Sequence, residues 1–258
     1  MKLTHPGMVT VAAHRGDSYN YCENTLPSFR SAIAVGADMI ETDVRLTKDG
    51  VPVLMHDEKV DRTTNGTGPL ASFTFEELRK LNAGEGDVFS PVPTLEELLQ
   101  LMADTGVTLN IEIKEYMKSG NEDRMRSSVD QSVALVRKYG MAEKVLFNSF
   151  DAAVLEYVDE AYHGLFPLHG FYPYTEMYNV SRDPTEYLTF ATVFADKGTE
   201  NYEFLLTHGI EPWMGAGVTR KEYLKRCAGM GATLVTTNFP ADCMRKLAEL
   251  GYREKAGE

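Results

Sequence analysis

Acidic and basic side chains recur at short, regular spacings in the first half of the sequence. Glu41 and Asp43 stand two residues apart within an apolar run, and Glu112 and Lys114 repeat that spacing within another. Because successive side chains of a strand point to opposite faces, residues two apart share one face. Three carboxylates that meet at one point need a counter-charge. An all-oxygen set suits one hard divalent cation, Mg²⁺ or Ca²⁺, and Mn²⁺ is also acceptable.

His14, Arg15 and His56 add the groups that such a centre needs for work on a phosphate ester. A cation flanked by Arg15 and Lys114 makes a binding place for a phosphate. Two histidines beside that phosphate can act as general base and general acid in a displacement at phosphorus. Each of these residues alone is often structural or surface-exposed, but together they predict a metal-dependent phosphoester hydrolase.

Short apolar runs alternate with amphipathic segments of helical spacing along the 258 residues. This alternation indicates a parallel α/β fold, either a closed (β/α)₈ barrel or an open doubly wound sheet. Threonine–glutamate pairs at capping-box spacing predict three helix starts, at Thr74/Glu77, Thr94/Glu97 and Thr219/Glu222. The runs predicted as strands are Thr10–His14, Met39–Val44, Val51–His56, Thr108–Ile113, Val145–Ser149, Gly164–Leu168, Thr192–Ala195, Ile210–Met214 and Thr233–Thr236.

Nine runs are one too many for an eight-stranded barrel, and the third run explains the excess. Only six residues, centred on Asp49-Gly50, separate it from the second run, too few for a parallel crossover. Asp-Gly favours a hairpin, so Val51–His56 is predicted to return antiparallel along the second strand. Eight parallel strands remain, which favours the TIM-type (β/α)₈ barrel. We expect one catalytic domain over residues 1–258, with residues 45–93 inserted over the C-terminal mouth of the barrel.

The predicted barrel places the candidate residues on one rim. Barrel enzymes carry their chemistry at the C-terminal ends of the strands. The predicted first, second and fourth runs end with these residues, and the hairpin returns His56 to about the level of Glu41 and Asp43. The joint placement favours a site over a set of unrelated charges.

Composition limits the partners and the compartment. Lys and Arg number 26 against 38 Asp and Glu, a net charge of −12, which argues against nonspecific binding to nucleic acid or to an anionic membrane. No run approaches the ~18 uncharged apolar residues of a membrane span, and the N-terminus carries no apolar signal segment. Three cysteines are too few for a disulfide framework. We therefore expect a cytoplasmic protein that acts on a small molecule; the sequence leaves its oligomeric state open.

Taken in order, the short motifs of the first half resemble the glycerophosphodiester phosphodiesterase family. They occupy about the first 150 residues, and their fixed order makes the ensemble specific although each motif alone is weak. The matching pieces are His14-Arg15-Gly16, Glu23-Asn24-Thr25, Glu41-Thr42-Asp43-Val44, Asp49-Gly50, His56-Asp57, Asn110-Ile111-Glu112-Ile113-Lys114 and Ser149-Phe150.

The resemblance implies a (β/α)₈ barrel with an insertion after the second strand. It also implies hydrolysis of a glycerophosphodiester to glycerol 3-phosphate and an alcohol, a reaction of lipid and glycerol metabolism. Asn24 and Thr25 are expected to cap a helix rather than to take part in catalysis. Which histidine is the base and which the acid stays open. By matched position the metal ligands would be Glu41, Asp43 and Glu112, the acid–base pair His14 and His56, and the phosphate ligands Arg15 and Lys114.

The last third of the chain departs from the family pattern. A strand that usually ends in Trp-Thr-Val-Asn reads Trp213-Met214-Gly215-Ala216, and Thr237-Asn238 replaces the usual Thr-Asp. Trp213 keeps its aromatic surface and is predicted to contact the substrate, but the alcohol is left open. Two alternatives also remain: a phospholipase-like lyase that forms a cyclic phosphate, and a non-catalytic barrel that binds a phosphorylated ligand.

Overall fold

The computed structural model describes residues 7–84, 88–118, 120–194 and 199–254. The strands are Thr10–His14 (β1), Met39–Leu46 (β2), Pro52–Leu54 (β3), Thr108–Ile113 (β4), Val145–Asn148 (β5), Leu168–Tyr172 (β6), Phe190–Val193 (β7), Glu211–Met214 (β8) and Leu234–Thr237 (β9). The α-helices are Leu26–Ala34 (α1), Phe75–Leu78 (α2), Leu95–Met102 (α3), Glu122–Lys138 (α4), Ala152–Tyr162 (α5), Glu200–Thr207 (α6), Lys221–Gly229 (α7) and Pro240–Leu250 (α8).

Eight of these strands close into a parallel barrel. β1 pairs in parallel with both β2 and β9, and this double pairing joins the two ends of the strand order. β3 pairs antiparallel with the end of β2 through a turn at Gly50, whose φ of 83° suits glycine. The predicted (β/α)₈ barrel, with an extra strand after the second, is therefore confirmed.

Alternate residues of the barrel strands serve two separate cores. Residues such as Val11, Ile40 and Ile111 belong to the main core, which includes the buried faces of the helices. Their neighbours point into the barrel, where side chains from different strands stack in layers. One such layer consists of Ala12, Met39, Leu146, Phe190, Trp213 and Leu234.

The segment between β2 and α3 has a small hydrophobic core of its own. Thr74 caps the short helix α2 within this segment, and Glu77 returns the hydrogen bond in a capping box. Because the segment is anchored in this way, it can hold His56 in a fixed position just after β3. The buried residues of this small core are Val53, Met55, Val60, Leu70, Leu78, Ala83 and Val92.

Several details differ from the sequence-based expectations or fall outside the structure. β3 covers only Pro52–Leu54 of the predicted run Val51–His56, and β7 begins at Phe190 rather than at Thr192. β6 begins at Leu168 rather than at Gly164, because His163 and Gly164 adopt left-handed φ angles at the end of α5. The predicted box at Thr219 does not form, and Arg220 precedes α7 without a side-chain cap, whereas the box at Thr94 does form. Ala195, the end of the predicted seventh strand, lies outside the described residues. Within those residues no helix has the length and apolar character needed to cross a membrane.

Candidate active site

Three carboxylates from two neighbouring strands meet at the C-terminal mouth of the barrel. Glu41 and Asp43 share one face of β2, and Asp43 lies opposite Glu112 in the register between β2 and β4. One oxygen of each carboxylate lies within 4.8 Å of one oxygen of the other two, and each of the three residues is at most 6% exposed. The register thus brings together the residues that the sequence selected as metal ligands.

Two cations partly neutralise this cluster. The Nζ of Lys114 lies 2.5 Å from Oε1 of Glu112 and 3.2 Å from Oδ1 of Asp43, and Nε of Arg15 lies 3.2 Å from Oδ2 of Asp43. Burial alone would raise the pKa of Asp43, but Lys114 and Arg15 outweigh it and hold that pKa at about 2. Burial and the two neighbouring carboxylates raise the pKa of Glu41 well above its ordinary value. The cluster is therefore short of positive charge at Glu41.

The donor set fits a divalent cation. Oε1 of Glu41 is buried and accepts no hydrogen bond within the described part of the chain. A buried acceptor without a partner is costly, and a cation among the three carboxylates would both satisfy it and balance the charge. Oxygen ligands of this kind suit Mg²⁺ or Ca²⁺.

Asn24 positions Asp43 rather than capping a helix. Its Nδ2 donates to Oδ2 of Asp43 at 2.8 Å, and its Oδ1 accepts from the hydroxyl of Thr42 at 2.8 Å. The cap of α1 is Thr25, as expected, which accepts from the backbone N–H of Ser28. Asn24 has a φ of 55°, a left-handed conformation that asparagine tolerates better than most residues. The family motif marked Asn24 in the sequence, but its contact with Asp43 became visible only in three dimensions.

His14 ends β1 beside the carboxylates. Its Nδ1 lies 2.6 Å from Oδ1 of Asn238, and since an amide oxygen only accepts, the ring proton resides on Nδ1. Nε2 then carries the lone pair and lies 3.9 Å from Oε2 of Glu41. Burial, reinforced by the charge of Arg15, lowers the pKa of His14. Both features favour a neutral imidazole with a free acceptor nitrogen.

His56 reaches the site from the segment after β3 and is held by a chain of charged groups. Its Nδ1 lies 2.7 Å from Oδ1 of Asp57, and Arg62 donates from Nε to the other oxygen of Asp57 at 2.7 Å. The terminal nitrogens of Arg62 also donate to Glu23, which accepts from Arg15 at 2.9 Å. This chain connects the inserted segment to the loop after β1.

A cavity of about 220 Å³ joins these groups. Lys114, Arg15, Glu41 and Glu112 form its charged side, with His14 and His56 beside them. Phe150, Phe171 and Phe194 form an aromatic wall, with ring centroids 3.6 Å apart for the first pair and 5.3 Å for the second. The remaining polar lining consists of Asn110, Asn148, His169, Thr192 and Thr236.

Trp213 does not line this cavity. Its side chain has no exposed surface and packs against Phe190 and His169, with ring centroids 4.5 and 4.4 Å away. Gly215, two residues further along the chain, lines the cavity instead. The indole of Trp213 therefore lies one side-chain layer below the cavity, too deep for the contact with a substrate that the sequence predicted.

The burial of His169 predicts a loss of stability in acid. Burial lowers the pKa of His169 to about 3, so its contribution is complete above the ordinary value of 6.5 and is lost as the pH falls toward 3. We expect His169→Gln to reduce the fall in unfolding free energy between pH 6 and pH 4 by about 2 kcal/mol. Urea unfolding of both proteins at the two pH values measures this. Equal falls would show that His169 does not resist protonation in the folded state.

Comparisons with known proteins point in one direction. Residues 14–209 match the model of the glycerophosphoryl diester phosphodiesterase family. A glycerophosphodiester phosphodiesterase of Caldanaerobacter subterraneus subsp. tengcongensis is 44% identical over 147 residues, covering 55% of this chain and 58% of that protein. The chain thus spans somewhat more than half the length of this curated relative.

Solved structures share the fold over nearly the whole chain. A glycerophosphodiester phosphodiesterase of Thermotoga maritima has a TM-score of 0.71 at 26% identity, covering 92% of this chain and 97% of that one. A phosphodiesterase of Oleispira antarctica, solved with the product sn-glycerol-3-phosphate, has a TM-score of 0.80 at 23% identity, covering 93% and 97%. At that identity the second likeness concerns the fold alone.

Proposed function

The chain belongs to the glycerophosphoryl diester phosphodiesterase family, and we propose that it hydrolyses glycerophosphodiesters to glycerol 3-phosphate and an alcohol. The observation that carries the proposal is the convergence of Glu41, Asp43 and Glu112 at a cavity that His14, His56, Arg15 and Lys114 line. A pure phosphate-binding protein needs the cations but has no use for a pair of imidazoles.

In this proposal Glu41, Asp43 and Glu112 hold one divalent cation, Mg²⁺ or Ca²⁺, with Mn²⁺ as a further candidate. Such a cation, when bound, polarises the phosphoryl oxygens and stabilises the charge that develops on them. Lys114 and Arg15, both already at the cluster, bind the phosphate and orient it for in-line attack. Asn24 fixes the carboxylate of Asp43 while these groups act.

We assign the base to His14 and the acid to His56. Nε2 of His14 has a free lone pair, so it can take a proton from the water that attacks phosphorus. His56 lies beside the carboxylate of Asp57, which orients the ring for delivering a proton to the leaving alcohol oxygen. One P–O bond forms to the water oxygen and one breaks to the alcohol. His14 gains one proton and His56 loses one, and proton exchange with solvent returns both rings to their starting states.

The contact between His14 and Asn238 predicts how the acid limb of the pH–rate profile responds to mutation. Replacing Asn238 with aspartate places a carboxylate beside Nδ1 of His14, and its negative charge stabilises the imidazolium. We expect Asn238→Asp to move the acid limb of kcat/KM upward by on the order of 1 pH unit. Initial rates across pH 5–9 measure the shift. A downward shift would contradict the assignment of His14 as base, and Asn238→Ser serves as the uncharged control.

Assay of a glycerophosphodiester panel tests the function directly. Diesters of choline, ethanolamine, inositol and glycerol are offered to the protein in chelator, and then with Mg²⁺, Ca²⁺ or Mn²⁺ added back. We expect glycerol 3-phosphate only when a cation is present. Phosphorus NMR separates this product from a cyclic phosphate, which a lyase would release. Absence of any phosphorus product with all three cations would refute the proposal.

We further propose that the protein works in the cytoplasm on a small-molecule substrate and without nucleic acid. The net charge of −12 supports the exclusion of nucleic acid. Cys22, Cys227 and Cys243 form no disulfide with one another, which suits a reducing compartment.

A further inference from the structure

Four buried polar side chains at the bottom of the cavity take no part in the steps above. We call Asn110, Asn148, His169 and Thr192 the polar floor; each is at most 4% exposed and each lines the cavity. Asn148 lies opposite Glu112 on one side and His169 on the other in the sheet register. The polar floor is therefore adjacent to the carboxylate cluster.

The hydrogen bonds within the polar floor leave specific atoms for a ligand. Nδ1 of His169 accepts from Nδ2 of Asn110 at 3.1 Å, so Nε2 carries the proton and donates to the hydroxyl of Thr192 at 2.9 Å. That hydroxyl retains its own proton. Oδ1 of Asn110 and Oδ1 of Asn148 are both buried and accept no hydrogen bond from the residues that the structure describes. The polar floor thus offers two acceptors that lack a donor, and its own donors include the Thr192 hydroxyl and the amide N–H groups of Asn148.

These atoms select an uncharged group that carries hydroxyls. All four side chains are neutral, since burial keeps the imidazole of His169 unprotonated. A charged group placed against neutral partners would lose its hydration without compensation. A carbonyl or ether oxygen only accepts hydrogen bonds, so it would leave both amide oxygens without a donor. Two hydroxyls satisfy both amide oxygens, and one of them can also accept from Thr192.

We propose that the polar floor binds a vicinal diol of the substrate, with Asn148 as a principal specificity residue. Asn110 stands two residues before Glu112 on β4, about 7 Å along the strand, which suits a three-carbon chain that reaches down from a phosphate held above. The inference rests on the proposed function for the identity of that chain as glycerol. The diol could come from the glycerol part or from a polyol head group, and the tests separate these sources.

Binding of two phosphate monoesters tests the polar floor without turnover. Calorimetry in Mg²⁺ compares glycerol 3-phosphate with n-propyl phosphate, which has the same chain and no diol. We expect the wild-type protein to prefer glycerol 3-phosphate by about tenfold, the effect of one or two neutral hydrogen bonds. Asn148→Leu, close in shape, should abolish the preference. Ser128→Ala is the matched control, since it removes a buried, unpartnered oxygen on α4, outside the cavity.

Three results would overturn the inference. They are equal affinities in the wild-type protein, a preference that survives Asn148→Leu, and tighter binding of O-phosphoethanolamine than of glycerol 3-phosphate. Thermal unfolding of the free proteins checks that the variants fold, because loss of the unsatisfied buried amide oxygen should leave the unfolding temperature of Asn148→Leu unchanged or raised. Where that variant fails to fold, Thr192→Val takes its place, with a several-fold loss of preference expected.

A diester that joins glycerol and 1-propanol through one phosphate identifies the source of the diol. Binding of the retained ester in the polar floor gives glycerol 3-phosphate and propanol, whereas binding of the leaving group gives propyl phosphate and glycerol. We expect the first pair, and a mixture from Asn148→Leu. The second pair from the wild-type protein would overturn the glycerol 3-phosphate assignment. Diol preference in calorimetry without cleavage of any diester would instead refute the proposed hydrolysis and leave the subsite standing.

Discussion

Replacing Glu41 with glutamine is expected to lower turnover by about 10³-fold and to abolish the stabilisation that a divalent cation gives the folded protein. The fall in rate corresponds to the several kcal/mol of transition-state charge stabilisation that a bound cation provides. In the wild-type protein a cation at a hundredfold excess over its Kd adds about 3 kcal/mol to the free energy of unfolding. Turnover and unfolding temperature, with chelator and with Mg²⁺ or Ca²⁺, measure both effects.

The same substitution should stabilise the protein in chelator. Because the pKa of Glu41 is raised in the folded protein, its contribution to stability is complete below the ordinary value of 4.5 and is lost as the pH rises through the raised pKa. Glutamine has no proton to lose, so Glu41→Gln should unfold at a higher temperature than the wild-type protein at neutral pH. Glu76→Gln, an exposed carboxylate paired with Lys80, is the control for charge removal alone. Wild-type turnover by Glu41→Gln would exclude the carboxylate cluster as the cation site.

Replacing His14 or His56 with asparagine should lower kcat by about 10²–10⁴-fold, the usual contribution of a positioned proton donor or acceptor. The two losses should differ with the leaving group. A glycerophosphodiester of 4-nitrophenol releases a stable phenolate that needs no proton, so His56→Asn should recover most of its activity on it. His14→Asn should remain impaired on both substrates, since the attacking water still needs a base. Absorbance of nitrophenolate and phosphorus NMR follow the two reactions.

His163→Asn is the matched control for the histidine variants. His163 is exposed at the end of α5 with a left-handed φ of 54°, which asparagine also adopts readily. The His163→Asn variant should keep wild-type rates on both substrates. If His14→Asn rather than His56→Asn recovers on the nitrophenyl ester, the acid and base assignments must be exchanged.

The sequence predicts the barrel and the carboxylate cluster because both follow from regular spacing. A separation of two residues puts Glu41 and Asp43 on one face of a strand, and the parallel register then aligns Asp43 with Glu112. Asp49-Gly50 indicates the hairpin, because only a tight turn fits six residues between two runs. Both inferences depend on local geometry that every strand and turn shares.

The features of the site that the sequence does not predict depend on contacts between distant segments and on the depth of a residue within the barrel. Asn238 lies 224 positions from His14, and no pattern links the two. Trp213 shows the second difficulty, since the spacing gives the face of the strand but not its depth. The six interior residues of the layer that includes Trp213 each stand two positions before a residue that lines the cavity. A shift of one layer therefore separates a packing residue from a residue that can contact the substrate.

The charged residues of the cavity and most of its neutral residues come from different strands of the barrel. Within the described residues, the carboxylate and cationic side chains of the cavity lie on or just after β1, β2 and β4, and His56 follows β3, while β5 to β9 and the residues after them contribute amides, hydroxyls, one neutral imidazole, phenylalanines, a glycine and an alanine. Under the proposed function, substitutions along the second half should accordingly change which molecule is accepted and leave in place the residues that we propose to cleave it. Substrate preference can therefore change in evolution through substitutions on one strand at a time. In protein design, new residues on β5 to β9 can be combined with the unchanged residues of β1, β2 and β4.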